Sequence, residues 1–217
     1  MNNVLYEDNH IIVVEKKVNI PVCEDNSKDE DLLNIIKKYL KEKYNKPGNV
    51  YLGLIHRLDR PVGGVMVFAK TSKAASRLSE QVRDKKITKK YYAVVLGDLK
   101  NEGTLKDKLL KDTKNNIVKV DEKGKESILK YKLVSKYQDF NLVDIELITG
   151  RSHQIRVQFS SRGNALYGDQ KYNKNAIVGE QIALYAYELS FYHPITKEKM
   201  TFKSDLPKRK PFNLFKN

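Results

Sequence analysis

Along Val143 to Leu147 the sequence alternates strictly: Val143, Ile145 and Leu147 fall on one side of an extended chain, Asp144 and Glu146 on the other. A strand of this kind buries one face and wets the other, so it requires a sheet with one covered side. Other segments of the same type surround it. "NVLYEDNHIIVVEK" predicts two strands about an Asp8-Asn9 turn, and "GVMVFAK", Gly64 to Lys70, is a continuous apolar run that predicts a buried strand. "KKYYAVVLG" predicts a strand ended by Gly97, "SILKYKLVSKYQ" and "FNLVDIELIT" a pair about Gln138-Asp139, and Glu188 to Tyr192 a late one. Helical spacing interrupts these strands. In "SKDEDLLNIIKKYLKEKY", Ser27 and Glu30 have capping-box spacing and Leu33, Ile36 and Leu40 form an apolar face. In "TSKAASRLSEQVRDKK", Thr71 is the expected N-cap and Ala74, Leu78 and Val82 repeat on one side. "GRSHQIRVQFSSRG" fits either period, and Gly163 as a terminator favours a short helix.

Strands and helices mix without a steady β-α-β alternation. That predicts an α+β fold with a large mixed, mainly antiparallel sheet and flanking helices. The expected organisation is a single domain over 1–217, with a polar, lysine-rich excursion at 98–125 and a basic tail at 206–217 that docks loosely. Within the excursion, Ile117 and Val118 suggest a short edge strand.

The charge balance is one-sided. Forty-one Lys and Arg against 27 Asp and Glu leave +14. Such a surface favours a polyanion, because contact releases condensed counterions; nucleic acid comes first and an anionic membrane surface second. Lysine-rich coding alone also makes basic proteins. Cys23 is the sole cysteine, which excludes a disulfide framework and a cysteine-rich metal site. No apolar run approaches the ~20 residues of a membrane span, and "MNNVLYEDNHIIVV" lacks the basic leader of a signal peptide. The expectation is a cytoplasmic protein without membrane association. With no coiled coil or unusual apolar stripe, a monomer with no obligate protein partner is expected.

Two clusters carry the chemistry. "LIHRLDRPVGG" packs His56, Arg57, Asp59 and Arg60 ahead of Pro61, Gly63 and Gly64. A cation in contact keeps Asp59 ionised, and an ionised carboxylate in a dry site can serve as nucleophile or base. A salt-bridge cluster that pins a turn accounts equally well for the same residues. A binding or structural role suits His56 better than a catalytic one. With His10, His153 and His193 it makes no ligand spacing, and no zinc or calcium signature is present. Gly63-Gly64 lacks the remainder of a phosphate loop. The second cluster, "TGRSHQIRVQ", carries Arg151, His153, Gln154, Arg156 and Gln158. Its arginines can clamp phosphates or fork onto a carboxylate. A solvated face is the bland reading, and the interleaved Ile155, Val157 and Phe159 argue against full exposure. Tyr91 and Tyr92 point to opposite faces of their strand, so one can pack inward while the other stacks on a base.

Three blocks resemble the RluA-type family of RNA pseudouridine synthases: "HRLDRPVGGVMVFAK", "ITKKYYAVVLG", and "TGRSHQIRVQF" followed by "YGD". The N-terminal "VLYEDNHIIVVEK" and the late "YELSFYHPIT" add to the likeness, which spans about Val4 to Phe202. The resemblance implies a pseudouridine-synthase-like catalytic domain that isomerises uridine in structured RNA, ribosomal RNA slightly ahead of tRNA, with no cofactor and no metal. It matches Asp59 to the essential carboxylate, Tyr91 to the active-site tyrosine and Arg156 to the basic residue that pairs with Asp59. His56, Arg57, Arg60, Arg151, His153 and Gln154 become candidate RNA-binding residues. Whether Asp59 attacks C1′, attacks C6 or deprotonates C2′ stays open.

The departures concern subfamily more than chemistry. Val62-Gly63-Gly64 replaces a hydroxyl-bearing run, "EKKVNIP" stands where Lys-Pro and a Gly are common, Gln158 replaces a frequent histidine, and "GNALYGD" replaces a Gly-His-Pro-containing run. The chain opens directly on the catalytic pattern, without the S4-like domain of many relatives. The main rival is a non-catalytic module that binds structured RNA. A metal-dependent nuclease fits less well, because Asp59 has no evident acidic partner and arginines beside it.

Overall fold

The computed structural model describes residues 3–25 and 27–215. Lys216 and Asn217, at the end of the predicted basic tail, lie outside the described residues. The chain forms two compact units, one from the residues up to Ile87 together with Glu188–Ser204, the other from Thr88–Tyr187 together with the segment from Asp205. The α+β class holds, with a mixed, mainly antiparallel sheet and flanking helices.

In the first unit β1 (Asn3–Glu7) pairs antiparallel with β2 (Ile11–Lys16), as the Asp8-Asn9 turn predicts. The short β3 (Gly53–Leu54) and β2 both pair antiparallel with β4 (Gly63–Ala69). All seven residues of β4 are buried, as the unbroken apolar run requires. Ile11, Val13, Val65, Val67 and Ala69 make a core with Ala74, Leu78, Leu189 and Phe191.

Helix α1 (Leu32–Lys43) starts later than Ser27 and Glu30 predict. Its N-cap is Asp31, whose side chain accepts from the Asn34 amide, while Ser27 bonds to Asp25. Three acids in "SKDED" offered competing caps, and the one adjoining the apolar repeat won. Leu32, Ile36 and Leu40 are its buried face. Helix α2 (Ser72–Arg83) begins at Thr71 as expected, with the Ala74 amide donating to Oγ1 at 3.1 Å. Val82, expected in its apolar face, is 36% exposed. Gln81 is buried instead and exchanges hydrogen bonds with the backbone of Tyr192.

Glu7 ties this unit together. Its carboxylate accepts from Lys43 and Lys70 (2.8 and 2.7 Å) and from the hydroxyls of Tyr39 and Tyr44 (3.0 and 2.7 Å). Burial alone raises its pKa, but these donors outweigh it and lower the value from 4.5 to about 2. A depressed carboxylate contributes stability that is present above the unfolded pKa and is lost as pH falls through the folded one. Glu7→Gln therefore costs about 3 kcal/mol at pH 7 and flattens the loss of stability between pH 4.5 and about 2. Urea unfolding of both proteins across that window checks it.

In the second unit the strand order is β5-β9-β8-β6-β7, from β5 (Thr88–Leu96), β6 (Glu102–Asp112), β7 (Ile117–Val120), β8 (Lys125–Tyr137) and β9 (Phe140–Leu147), every neighbouring pair antiparallel. The segment expected as a polar excursion folds as β6 and β7, and Ile117-Val118 lies in the edge strand β7. Leu105, Leu109 and Val118 are buried there. One face of the sheet carries the row Tyr91, Ile145, Tyr131, Gly103, and the other the row Tyr92, Asp144, Lys132, Glu102. Helix α3 (Gln154–Ser160) covers the first face: Val157 packs with Leu109 and Val118, and Phe159 meets Tyr131 edge-on at 5.3 Å. On the other face Tyr92 stacks on Tyr187 at 3.9 Å.

The tail does not dock loosely over its described part. Phe212 is fully buried in a cluster with Val94, Leu142 and Tyr185, and Arg209 donates to the Ile182 carbonyl at 2.7 Å. Its lysines and arginines drew attention from the single aromatic that anchors it.

Candidate active site

Asp59 lies in the connection from β3 to β4, at the first position of a turn that the Val62 amide closes onto the Asp59 carbonyl at 2.9 Å. Leu58 and Val62, 7% and 2% exposed, anchor the turn on both sides. Asp59 itself is half-buried. A side chain so placed is rigid yet reachable.

The turn is locked from below by Lys16. This side chain is 1% exposed, and its ammonium donates to three carbonyls, those of Lys17 (3.0 Å), Arg60 (2.9 Å) and Val62 (2.7 Å). All three N–H donors are thereby used. The Asn19 amide adds a further bond to the Arg60 carbonyl. Burial lowers the Lys16 pKa to about 7, with the Asp59 charge acting against the shift and the Arg60 charge adding to it. Asp59 is thus close enough for its charge to be felt by Lys16. Arg60 directs its guanidinium to Asp25 (3.4 Å) and Asp29, and Arg57 is exposed. His56 accepts the Val67 amide at Nε2, 3.3 Å away, which ties the ring to β4.

The second cluster sits in the other unit. Tyr91 is 6% exposed, on the sheet face that α3 covers. Arg156 lies on α3 three residues before Phe159, so the two share a side of the helix. Arg156 is buried, and its guanidinium forks onto Asp169, Nε to Oδ2 at 2.8 Å and Nη2 to Oδ1 at 2.7 Å. Asp169 also accepts the amides of Lys171 and Tyr172, and the Tyr172 ring lies 5.1 Å from the Arg156 guanidinium carbon. A bidentate pair this well satisfied fixes the plane and the charge of the guanidinium.

The loop entering α3 has its own support. Gln154, 2% exposed, accepts from the Thr149 hydroxyl and the Arg151 amide and donates to Gln158. Gln158 in turn donates to Asp107, which Arg162 grips with both ends of its fork. Gln154 therefore spends its amide inside the fold. His153 adopts the left-handed conformation, φ 50°, and its Nδ1 lies 2.6 Å from the Tyr172 hydroxyl. Arg151 is exposed, with one bond to the Glu126 carbonyl.

Of the residues matched by resemblance, the structure places Tyr91 and Arg156 on one side of one sheet and sets Asp59 on a locked turn in the other unit. Sequence reasoning missed two supports. Lys16 lies in "EKKVNIP", which reads as a departure from pattern. Asp169 ends the "YGD" quoted above, but its role emerges only from the contact with Arg156. Taken singly, a carboxylate on a rigid turn, a fixed guanidinium and a buried tyrosine can supply a nucleophile or base, a fixed positive charge and an aromatic surface. Among the described residues no group of His, Cys, Asp or Glu is arranged to hold a metal ion, and no helix is long and apolar enough to cross a membrane.

Comparison with known proteins agrees with the fold and the motifs. The family model described as RNA pseudouridylate synthase matches residues 10–161. The ribosomal large subunit pseudouridine synthase C of Buchnera aphidicola subsp. Baizongia pistaciae is 35% identical, covering 94% of this chain and 67% of that protein. An uncharacterized RNA pseudouridine synthase of Aquifex aeolicus is 33% identical, over 94% of this chain and 69% of its own length. Among solved structures, human RNA pseudouridylate synthase domain containing 4 superposes with a TM-score of 0.80 at 21% identity, covering 95% of this chain and 89% of that one, a likeness of fold. With 70% of its length inside the family model, this chain belongs to the RNA pseudouridine synthase family and is an isomerase acting on RNA.

Proposed function

We propose that the chain is an RluA-type synthase that converts specific uridines of structured RNA to pseudouridine, with ribosomal RNA as the first substrate class and tRNA the second. The observation that carries the reading is the Asp59 turn, two of whose carbonyls, those of Arg60 and Val62, are held by the buried Lys16 ammonium, an arrangement that restrains the carboxylate. Support for ribosomal RNA comes from relatives of 35% and 29% identity that carry the name ribosomal large subunit pseudouridine synthase.

In this reading the target nucleotide leaves its stack, since the reacting atoms are unreachable in a paired helix. The N1–C1′ bond breaks, the uracil turns, and C5 bonds to C1′. The C5 proton is released and N1 takes up a proton, so the reaction is an isomerisation without net exchange of electrons. Asp59 starts it, by attack on C1′ or C6 or by removal of the C2′ proton. Arg156, its Nε–Nη2 edge held by Asp169, supplies the fixed positive charge of the reading. Tyr91 packs against the uracil. Arg57, Arg60, Arg151 and His153 line the approach of the RNA, where cations hold phosphates and confer position. The enzyme acts as a monomer in the cytoplasm.

The test is direct. Unmodified large-subunit rRNA and tRNA transcripts are incubated with the protein, and pseudouridines are mapped by their carbodiimide adducts. Discrete new sites in rRNA are expected. Sites in tRNA alone would reassign the substrate, and no sites in either would sink the proposal.

A further inference from the structure

Tyr172, three residues after Asp169, ties together several parts of the second unit. Its backbone is pinned on both sides. The amide donates to Asp169 Oδ1 at 3.2 Å, and the carbonyl accepts the Ser160 hydroxyl of α3 at 2.6 Å. Its ring lies 5.1 Å from the Arg156 guanidinium carbon and meets the His153 ring edge-on at 5.6 Å. Its hydroxyl accepts the backbone amide of Val118, on the edge strand β7, at 2.9 Å and lies 2.6 Å from His153 Nδ1. The phenol is thus held by groups far from it in the chain.

These contacts decide where the protons stand. A backbone N–H can only donate, so Val118 occupies an acceptor site of the phenol oxygen. The phenol proton then points along the short contact to Nδ1, which accepts it. A neutral imidazole carries one N–H, and with Nδ1 as acceptor that proton sits on Nε2. The opposite arrangement, Nδ1–H to the phenol oxygen, would bring two N–H donors onto one hydroxyl and turn its proton off the 2.6 Å line. His153 is also held in the left-handed conformation, φ 50°. A residue with a side chain stays there only where its surroundings over-determine it, as at binding and catalytic sites.

We propose that Tyr172 is a positioning residue: its hydroxyl fixes His153 as the neutral Nε2–H tautomer, and that N–H donates to an acceptor oxygen of the bound RNA. The proposal rests on the reading of the chain as an RNA-modifying enzyme whose His153 meets the RNA. It gives His153 a different task from the arginines of the approach. Arg151 contributes charge, which salt screens, whereas His153 contributes a directed hydrogen bond without counterion release. The other tautomer would turn a lone pair toward the RNA oxygen and repel it, so fixing the proton prepares the site before the RNA arrives.

Tyr172→Phe tests it, because it removes the hydroxyl and keeps the ring over Arg156. The first measurement is the nitrogen-15 spectrum of the His153 imidazole in the free protein at about pH 8, above the ordinary histidine pKa of about 6.5. The wild type is expected to show an unprotonated, hydrogen-bonded Nδ1 and a protonated Nε2, and Tyr172→Phe a shift toward a mixture of tautomers. A protonated Nδ1 in the wild type, or an unchanged spectrum in Tyr172→Phe, overturns the assignment. The second measurement uses an unmodified large-subunit rRNA transcript. KM for pseudouridine formation rises about fivefold in Tyr172→Phe and in His153→Ala, the worth of one hydrogen bond, and no further in the double variant. Effects that multiply in the double variant overturn the coupling. The slope of log affinity against log salt in His153→Ala stays that of the wild type. A slope shallower by about 0.7 to 0.9 would make His153 a cation and overturn the tautomer. Absence of pseudouridine formation by the wild type would instead sink the proposed function, while the nitrogen-15 spectrum and the salt slope still report on Tyr172 and His153.

Discussion

Asp59→Asn is expected to abolish pseudouridine formation, with single-turnover rates down by more than about 10⁴-fold, while the protein folds and binds RNA as before. The size follows from the role. A well-placed acid or base commonly contributes ~10²- to 10⁴-fold, and a residue that forms or breaks the first bond contributes more. Preservation of the fold follows from geometry. The turn is held through the carbonyls of Asp59, Arg60 and Val62, none of which the substitution touches. Asparagine matches the aspartate in shape, so Leu58 and Val62 keep their packing. The loss should appear in kcat, with RNA affinity within about threefold, because removal of a group that acts in the transition state leaves ground-state binding intact. Activity within about tenfold of the wild type would take Asp59 out of the mechanism. A fall in thermal midpoint of more than a few degrees would assign the residue to the turn rather than to the chemistry.

What could be read from the sequence followed the range of each signal. Val143, Ile145 and Leu147 declare a one-sided strand within five residues, and Thr71 caps α2 through an amide three residues away. Those readings hold because the partners are near in sequence. The errors occur where neighbours compete or partners are remote. Asp31 displaced Ser27 as the cap of α1, because several acids stood within one turn of the apolar repeat. Gln81 took the buried place beside Val82 because the backbone of Tyr192, more than a hundred residues later, offers its amide two hydrogen bonds. The basic tail concealed Phe212, whose apolar partners come from β5, β9 and β10 (Leu184–Tyr192). The motifs named Asp59, Tyr91 and Arg156 as the proposed site residues, yet the groups that hold two of them were silent. Lys16 reaches carbonyls 44 and 46 residues away, and neither its charge nor its spacing marks it out from the chain's many other lysines. Motif residues are legible because their chemistry is demanding, and supporting residues are less so because many side chains can hold a given backbone in place.

Asp169 makes that distinction measurable. Asp169→Asn leaves the Arg156 guanidinium, on a side chain 7% exposed, without the carboxylate it forks onto. Breaking a buried pair on one side costs about 3 kcal/mol, because the buried guanidinium loses the charge that its Nε–Nη2 edge grips. Asparagine keeps an oxygen for the amides of Lys171 and Tyr172, so the turn after β-bridge residue Leu166 survives and the loss reports on the ion pair. Adding Arg156→Met removes the buried cation as well, and the double variant is expected to regain at least half of the lost stability. Activity behaves differently. It falls in the single variant, where the guanidinium has lost its orienting partner, and stays lost in the double variant, where the cation is gone. Urea unfolding of the wild type, both single variants and the double variant gives the coupling energy, and single-turnover assays on the same four proteins give the other half of the cycle. Stability and activity recovering together would mean that the Arg156–Asp169 pair is scaffolding alone and would take Arg156 out of the proposed mechanism.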